Sequence, residues 1–263
     1  MLNVSEVSKT FFPGTVNERR ALDDVNLQLA AGDFVTVIGS NGAGKSTVLN
    51  TVAGRITQEK GVVELENRDV SKLKEHQRAA QIGRVFQDPM AGTSPNLTIE
   101  QNLSLADRRG YSRGLRLGVT ASKRERFAEA LKVLELGLED RLRAKVGLLS
   151  GGQRQALSLL MATLSQPKVL LLDEHTAALD PQRAELVTRL TTKIVKEQKL
   201  TTLMVTHNMA QALEVGNRLI MMHEGRIILD VSDEEKEKLA PGDLLAEFSK
   251  IKGAVVDDKT MLQ

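Results

Sequence analysis

Phe34-Val35-Thr36-Val37-Ile38-Gly39-Ser40-Asn41-Gly42-Ala43-Gly44-Lys45-Ser46-Thr47 decides the fold. The run from Phe34 to Ile38 is short, apolar and rich in β-branched residues, the pattern of a buried strand. Gly39 to Ser46 then match G-x-x-x-x-G-K-[ST], and Ser46 to Ala53 read as a helix. Glycines let such a loop curl so that successive backbone N–H groups point inward at a polyphosphate. The helix start adds the positive end of its dipole. Lys45 supplies a point charge for β- and γ-phosphates, and the Ser46 hydroxyl can ligate Mg2+. The competing reading is a glycine-rich turn that matches by accident. The strand before it and the helix after it favour nucleotide binding.

Working outward, Val4–Thr10 and Asp24–Ala30 alternate apolar and polar residues and read as strands, with a turn at 12–15 between them. Further strands are expected at 62–66, 81–87, 169–172 and 201–206, with a closing pair at 219–222 and 226–230 around Glu224-Gly225. Helical spacing covers 100–106 and 122–136, and Pro181 suits the first turn of a helix to about Glu197. Another helix begins at Asn208. No strand is expected between Gln87 and Val169, so that block reads as an inserted helical subdomain. Residues 232–251 read as a charged helical tail, and the final residues as loose. Strands alternating with helices make this an α/β protein.

Val169-Leu170-Leu171-Leu172-Asp173-Glu174 is the second informative stretch. It sets two carboxylates at the C-terminal edge of an apolar strand, where open α/β sheets bind ligands. Asp173 is placed to hold Mg2+ through water, and Glu174 to orient and polarise an attacking water. The plain alternative is a pair that ends a strand and caps a turn.

The third is Leu149-Ser150-Gly151-Gly152-Gln153-Arg154-Gln155. Ser150-Gly151-Gly152 offers a second set of N–H groups at a helix start, suited to an anion, or an ordinary N-cap. The run closely resembles the signature of the ABC ATPase family. The other family elements follow in order: Gln87 after a strand, Ala177-Ala178-Leu179-Asp180, and Thr206-His207-Asn208 after a strand. The likeness covers about residues 2–230. It implies a P-loop NTPase (RecA-like) core with an antiparallel β subdomain and an inserted α-helical subdomain near 90–157, inside an ATPase domain of 1–230 followed by a helical extension over 231–263.

The resemblance also implies the cofactors ATP and Mg2+. The phosphate loop, Gly39, Ser40, Asn41, Gly42, Ala43, Gly44, Lys45, Ser46 and Thr47, holds the nucleotide. Ser150, Gly151 and Gly152 of one subunit close on ATP held by the loop of another, so two chains bury two ATP molecules head to tail. Gln87 touches Mg2+ and the attacking water, joining Ser46 and Asp173 as metal ligands. His207 holds the γ-phosphate beside the catalytic Glu174, and Asp180 links the two sites across the dimer. Phe11 aligns with the aromatic that stacks on adenine, with Phe12 as its rival. Read without the family, His207 is a core histidine, Gln87 a polar loop entrance, Asp180 a helix cap and Phe11 a core residue. His175 departs from the pattern, standing where the family usually has Pro.

Composition bounds the setting. The chain has 263 residues, a formal net charge of +2 and no Cys, so disulfides and thiolate metal sites are excluded. The balanced charge gives no argument for a nucleic-acid partner. The acidic, alternating N-terminus does not read as a signal peptide, and no apolar stretch reads as a bilayer span. Fused exporters of the family it resembles usually carry membrane helices in the same chain, so the resemblance implies a separate integral membrane permease, with the chain peripheral on the cytoplasmic face of the membrane. The expected partners are that permease, a second ATP-binding subunit, most simply a homodimer, and an extracytoplasmic solute-binding protein of an importer for amino acids or similar small solutes. The segment 91–102 resembles the permease-facing part of such subunits. The basic stretch 108–126 reads as a solvated face or as a neighbour of anionic lipid. The alternatives are an ABC ATPase acting on ribosomes or DNA, and a GTPase or kinase on the same loop. The latter lacks an Asn-Lys-x-Asp run and leaves the signature unexplained.

Overall fold

A computed structural model describes residues 1–111 and 117–252. The centre of the basic stretch and the final residues of the chain lie outside the described residues. In chain order the strands are β1 (Leu2–Phe11), β2 (Arg19–Leu29), β3 (Phe34–Gly39), β4 (Lys60–Leu65), β5 (Arg68–Asp69), β6 (Ile82–Val85), β7 (Val169–Asp173), β8 (Thr201–Val205), β9 (Arg218–His223) and β10 (Arg226–Ser232). The α-helices are α1 (Lys45–Ala53), α2 (Glu75–Arg78), α3 (Ile99–Asp107), α4 (Ala121–Leu131), α5 (Gly151–Thr163), α6 (Pro181–Gln198), α7 (Met209–Glu214), α8 (Asp233–Lys236) and α9 (Pro241–Lys252). They form two compact units, Met1–Leu73 with Thr201–Gln263, and Lys74–Leu200.

The first unit carries an antiparallel sheet in the order β2-β1-β4-β5. It also carries the strands β10-β9-β3-β8, in which β3 runs parallel to both β8 and β9. All of β3 is buried, as a central parallel strand must be. Its pairing brings Val37 beside Val205 and Gly39 beside Met222, so their C-terminal ends share one edge. β2 begins at Arg19, well before the expected Asp24, because backbone pairing of Phe11 with Arg19 continues where apolar alternation has stopped.

The tail departs most from expectation. Instead of one charged helix, β10 runs to Ser232, a single turn follows as α8, and the chain restarts at Pro241 as α9. Leu244 and Phe248 of α9 are fully buried with Ile38, Met209, Leu219 and Met221. The Lys236 ammonium donates to the carbonyls of Val215 and Gly216, satisfying the end of α7. The extension is thus part of the first unit's core.

The second unit is mainly helical around the parallel pair β6–β7. α3 and α5 each open on a capping box, at Thr98 with Gln101 and at Ser150 with Gln153. α4 ends at Leu131, short of the expected Leu136, because a 3-10 turn follows and Glu135 takes a left-handed φ of 55°. Three basic residues of α4 are ion-paired within the unit: Arg124 holds Glu100 at 2.6 Å, and Lys123 and Arg126 both reach Asp107. That pairing favours a structured solvent face over a lipid contact for these residues.

Phe248→Ala tests the place of α9 in the core. Emptying a buried phenylalanine site costs about 3–5 kcal/mol. Thermal and urea unfolding should show a loss of that size, and a change under about 1 kcal/mol would mean that α9 does not pack as described.

Candidate functional site

The phosphate loop is a strand end forced to turn at once into a helix. Gly39, Gly42 and Gly44 take positive φ values of 153°, 84° and 102°. A Cβ on Gly39 would lie 2.3 Å from the Met222 carbonyl oxygen, and one on Gly44 2.5 Å from that of Ala21. Both positions therefore require glycine on space as well as on torsion. The loop is braced from outside: Gly225 N–H donates to the Ala43 carbonyl at 3.0 Å, and the Arg19 guanidinium to the Gly42 carbonyl at 2.8 Å. α1 starts with no side-chain cap and no acidic residue in its first turn. A helix start of this kind suits an anion. The Lys45 ammonium is buried and turned back on the loop, donating to the carbonyls of Gly39 at 2.6 Å and Ser40 at 3.1 Å.

His207 leaves the same edge, two residues beyond Val205. Thr206 N–H donates to the Val37 carbonyl at 3.1 Å, and the Thr206 hydroxyl donates to the Gln211 side-chain Oε1 at 2.7 Å. Asn208 caps α7 through Gln211 N–H at 2.9 Å. His207 is thereby held between two anchored neighbours. Phe11 is half-buried at the end of β1, with Lys9 Nζ 5.8 Å from its ring centre. Phe12, 6.5 Å from it and 66% exposed, is the more open stacking surface.

In the second unit Val85 pairs with Leu172, so Gln87 and Glu174 leave adjacent strands at one edge. Glu174 has a left-handed φ of 47°. That torsion is costly for a residue with a Cβ, and it marks the carboxylate position as conformationally constrained. Ser150 is the N-cap of α5, its Oγ accepting from Gln153 N–H at 3.3 Å. Arg154 reaches back from α5 to the carbonyls of Gly147 at 3.2 Å and Leu149 at 3.1 Å, fixing the segment before the signature. Gln155 is fully buried and donates to the Phe86 carbonyl at 3.0 Å, tying α5 to the approach to Gln87. Asp180 caps α6 through Arg183 N–H at 3.2 Å, with Pro181 in the first turn.

Sequence reasoning left three residues without a role. Arg84 pairs with Asp173 at 3.1 Å. Arg19 braces the phosphate loop. His175 is wholly buried, with Nε2 3.0 Å from the Thr191 hydroxyl. The Thr191 hydroxyl donates to the Val187 carbonyl, so it accepts from His175 and fixes the Nε2–H tautomer. None of these contacts follows from local spacing. Only His175 stands out in the sequence, as a departure from the family's usual Pro.

Residues 22–177 match the family described as ABC transporter. The tyrosine transport ATP-binding protein of Clostridioides difficile is 45% identical over 94% of this chain and 98% of its own length. A spermidine/putrescine import ATP-binding protein of Thermobifida fusca is 32% identical over 86% of the chain, which spans only 56% of that longer relative. Among solved structures, a dimeric ATP-binding cassette in a post-hydrolysis state, bound to ADP and Pi, superposes with a TM-score of 0.76 at 32% identity, covering 89% of this chain and 99% of that one. The chain belongs to the ABC transporter family and has its P-loop NTPase fold. It is an ATP-binding, ATP-hydrolysing subunit whose work is to energise transport.

The environment of His175 yields a pH prediction. Burial lowers its pKa from 6.5 to about 4. Between those values the unfolded chain binds the extra proton, so folded stability declines as pH falls from 6.5 towards 4 and levels off below. The slope is at most about 1.4 kcal/mol per pH unit. Melting temperatures of the nucleotide-free wild type and His175→Gln should converge as pH falls through this window. Parallel curves would refute the assignment.

Proposed function

We propose that the chain works as one half of a head-to-tail pair of ATP-binding subunits that drives a membrane permease for amino-acid uptake. One observation carries this reading: a complete phosphate loop and a second glycine-flanked helix start, Ser150-Gly151-Gly152, occur in one chain. A single subunit has no use for two γ-phosphate cradles, whereas two subunits facing in opposite senses use all four. The dimeric relative bound to ADP and Pi supports that arrangement.

The residues fit the cofactors. The uncapped start of α1 and the glycine-only turns at Gly39 and Gly44 suit a polyphosphate against the backbone. Ser46, Asp173 and Gln87 offer hard oxygen donors, the type that Mg2+ takes together with phosphate oxygens. When bound, Mg2+ neutralises charge between the β- and γ-phosphates. Lys45 turns from the loop carbonyls to those phosphates, and His207 holds the γ-phosphate. Glu174 orients the attacking water from its constrained backbone position, and Ser150 and Gly152 of the partner seat on the γ-phosphate. Asp180 links the two halves. Phe11 or Phe12 stacks on adenine. Catalysis is then mainly positioning and charge stabilisation, and the output is closing and opening of the pair.

Among the described residues no helix is long and apolar enough to cross a membrane. The subunit would be held at the cytoplasmic face through its permease, with an extracytoplasmic solute-binding protein delivering the solute. The relative named for tyrosine transport makes an aromatic amino acid the first solute to test.

Glu174→Gln tests the core of this reading. The variant should bind Mg–ATP, shift from monomer to stable dimer in light scattering, and hydrolyse ATP at least about a hundredfold more slowly. Near-normal turnover would remove Glu174 from its role. A variant that stays monomeric with saturating ATP would remove the paired arrangement.

A further inference from the structure

Asp173 already has a cationic partner. In the β6–β7 pair Arg84 stands opposite Leu171, and Asp173 lies two residues further on, so both side chains leave the same face. Arg84 Nη2 is 3.1 Å from Asp173 Oδ2, and the two side chains are only 8% and 16% exposed. The guanidinium also lies over Phe86, 4.6 Å from the ring centre. Its Nε and Nη1 are buried without a hydrogen-bond partner. Arginine stays charged at every accessible pH. A buried guanidinium with two unsatisfied nitrogens is a poor stabilising device, since an ion pair of this kind rarely offsets the cost of desolvation. Its position points elsewhere: it occupies the carboxylate that the proposed function assigns to the divalent ion.

We infer that Arg84 is a positioning residue that competes with the metal for Asp173, holding the carboxylate when no divalent ion is present and lowering metal affinity because it must yield or share that oxygen. The inference rests on Asp173 being the metal ligand. Two cations at one half-buried carboxylate repel each other strongly where solvent screening is weak. Arg84 leads through Phe86 directly to Gln87, and the Phe86 carbonyl is held by Gln155 of the signature helix at 3.0 Å. Release of Asp173 therefore frees a guanidinium at the root of the segment that carries Gln87. Metal arrival and the state of that segment become linked.

The test is a Mn2+ titration followed by electron paramagnetic resonance, using the full chain saturated with a non-hydrolysable ATP analogue. Asp173→Asn should weaken Mn2+ binding. Arg84→Met and Arg84→Gln should tighten it by about tenfold, the order expected when a nearby like charge is removed. Arg84→Lys, which keeps the charge, should stay near the wild type. If Asp173→Asn leaves Mn2+ affinity unchanged, the assignment of Asp173 as ligand fails, and this inference with it. If Asp173→Asn weakens binding but neither neutral Arg84 variant tightens it, the inference alone fails. Failure of both neutral variants to fold would assign Arg84 to structure and overturn it equally.

Discussion

Parallel pairing of β3 with β8 and β9 is the constraint from which the nucleotide end of the first unit follows. Parallel neighbours oblige strand ends to line up at one edge, and each chain must leave that edge by a turn rather than a hairpin. At Gly39 the turn is so tight that any side chain would meet the Met222 carbonyl of the adjacent strand. The loop therefore goes outward through backbone alone and reaches α1 with its amide groups converging. Gly225, in the turn joining β9 to β10, then pins Ala43 from the far side. The anion cradle is a by-product of how three neighbouring strands must finish.

The second unit solves a related problem with side chains. β7 is apolar until Asp173, and the backbone at Glu174 enters a left-handed torsion where glycine would be cheaper. Nearby helices begin with explicit caps, Ser150 for α5 and Asp180 for α6. A serine hydroxyl that accepts from Gln153 N–H still has its proton to offer. The capping role of Ser150 therefore leaves room for the phosphate-facing role proposed for it, and the two readings do not compete.

Where the sequence was readable, the signal was local. The phosphate loop, the apolar run into Asp173 and the Ser150–Gln153 capping box each declare themselves within a dozen residues. What escaped depends on distant partners. Arg84 meets Asp173 across 89 positions of sequence, and in β6 it looks like an ordinary polar residue of an alternating strand. The first residues of β2 carry no apolar alternation and exist because β1 supplies hydrogen bonds. The break before α9 was announced by Pro241, but composition concealed the burial of Leu244 and Phe248. The unbroken charged run from Asp233 to Lys238 dominates the start of the tail, and only the position of α9 against α7 and β9 reveals which face is dry.

That dry face shares its buried cluster with Ile38, the residue immediately before the phosphate loop. The last described helix and the strand that leads into the first glycine of the cradle thus share one core, although they lie far apart in sequence. Loosening the C-terminal helix would therefore loosen the packing behind the strand on which the nucleotide loop is built.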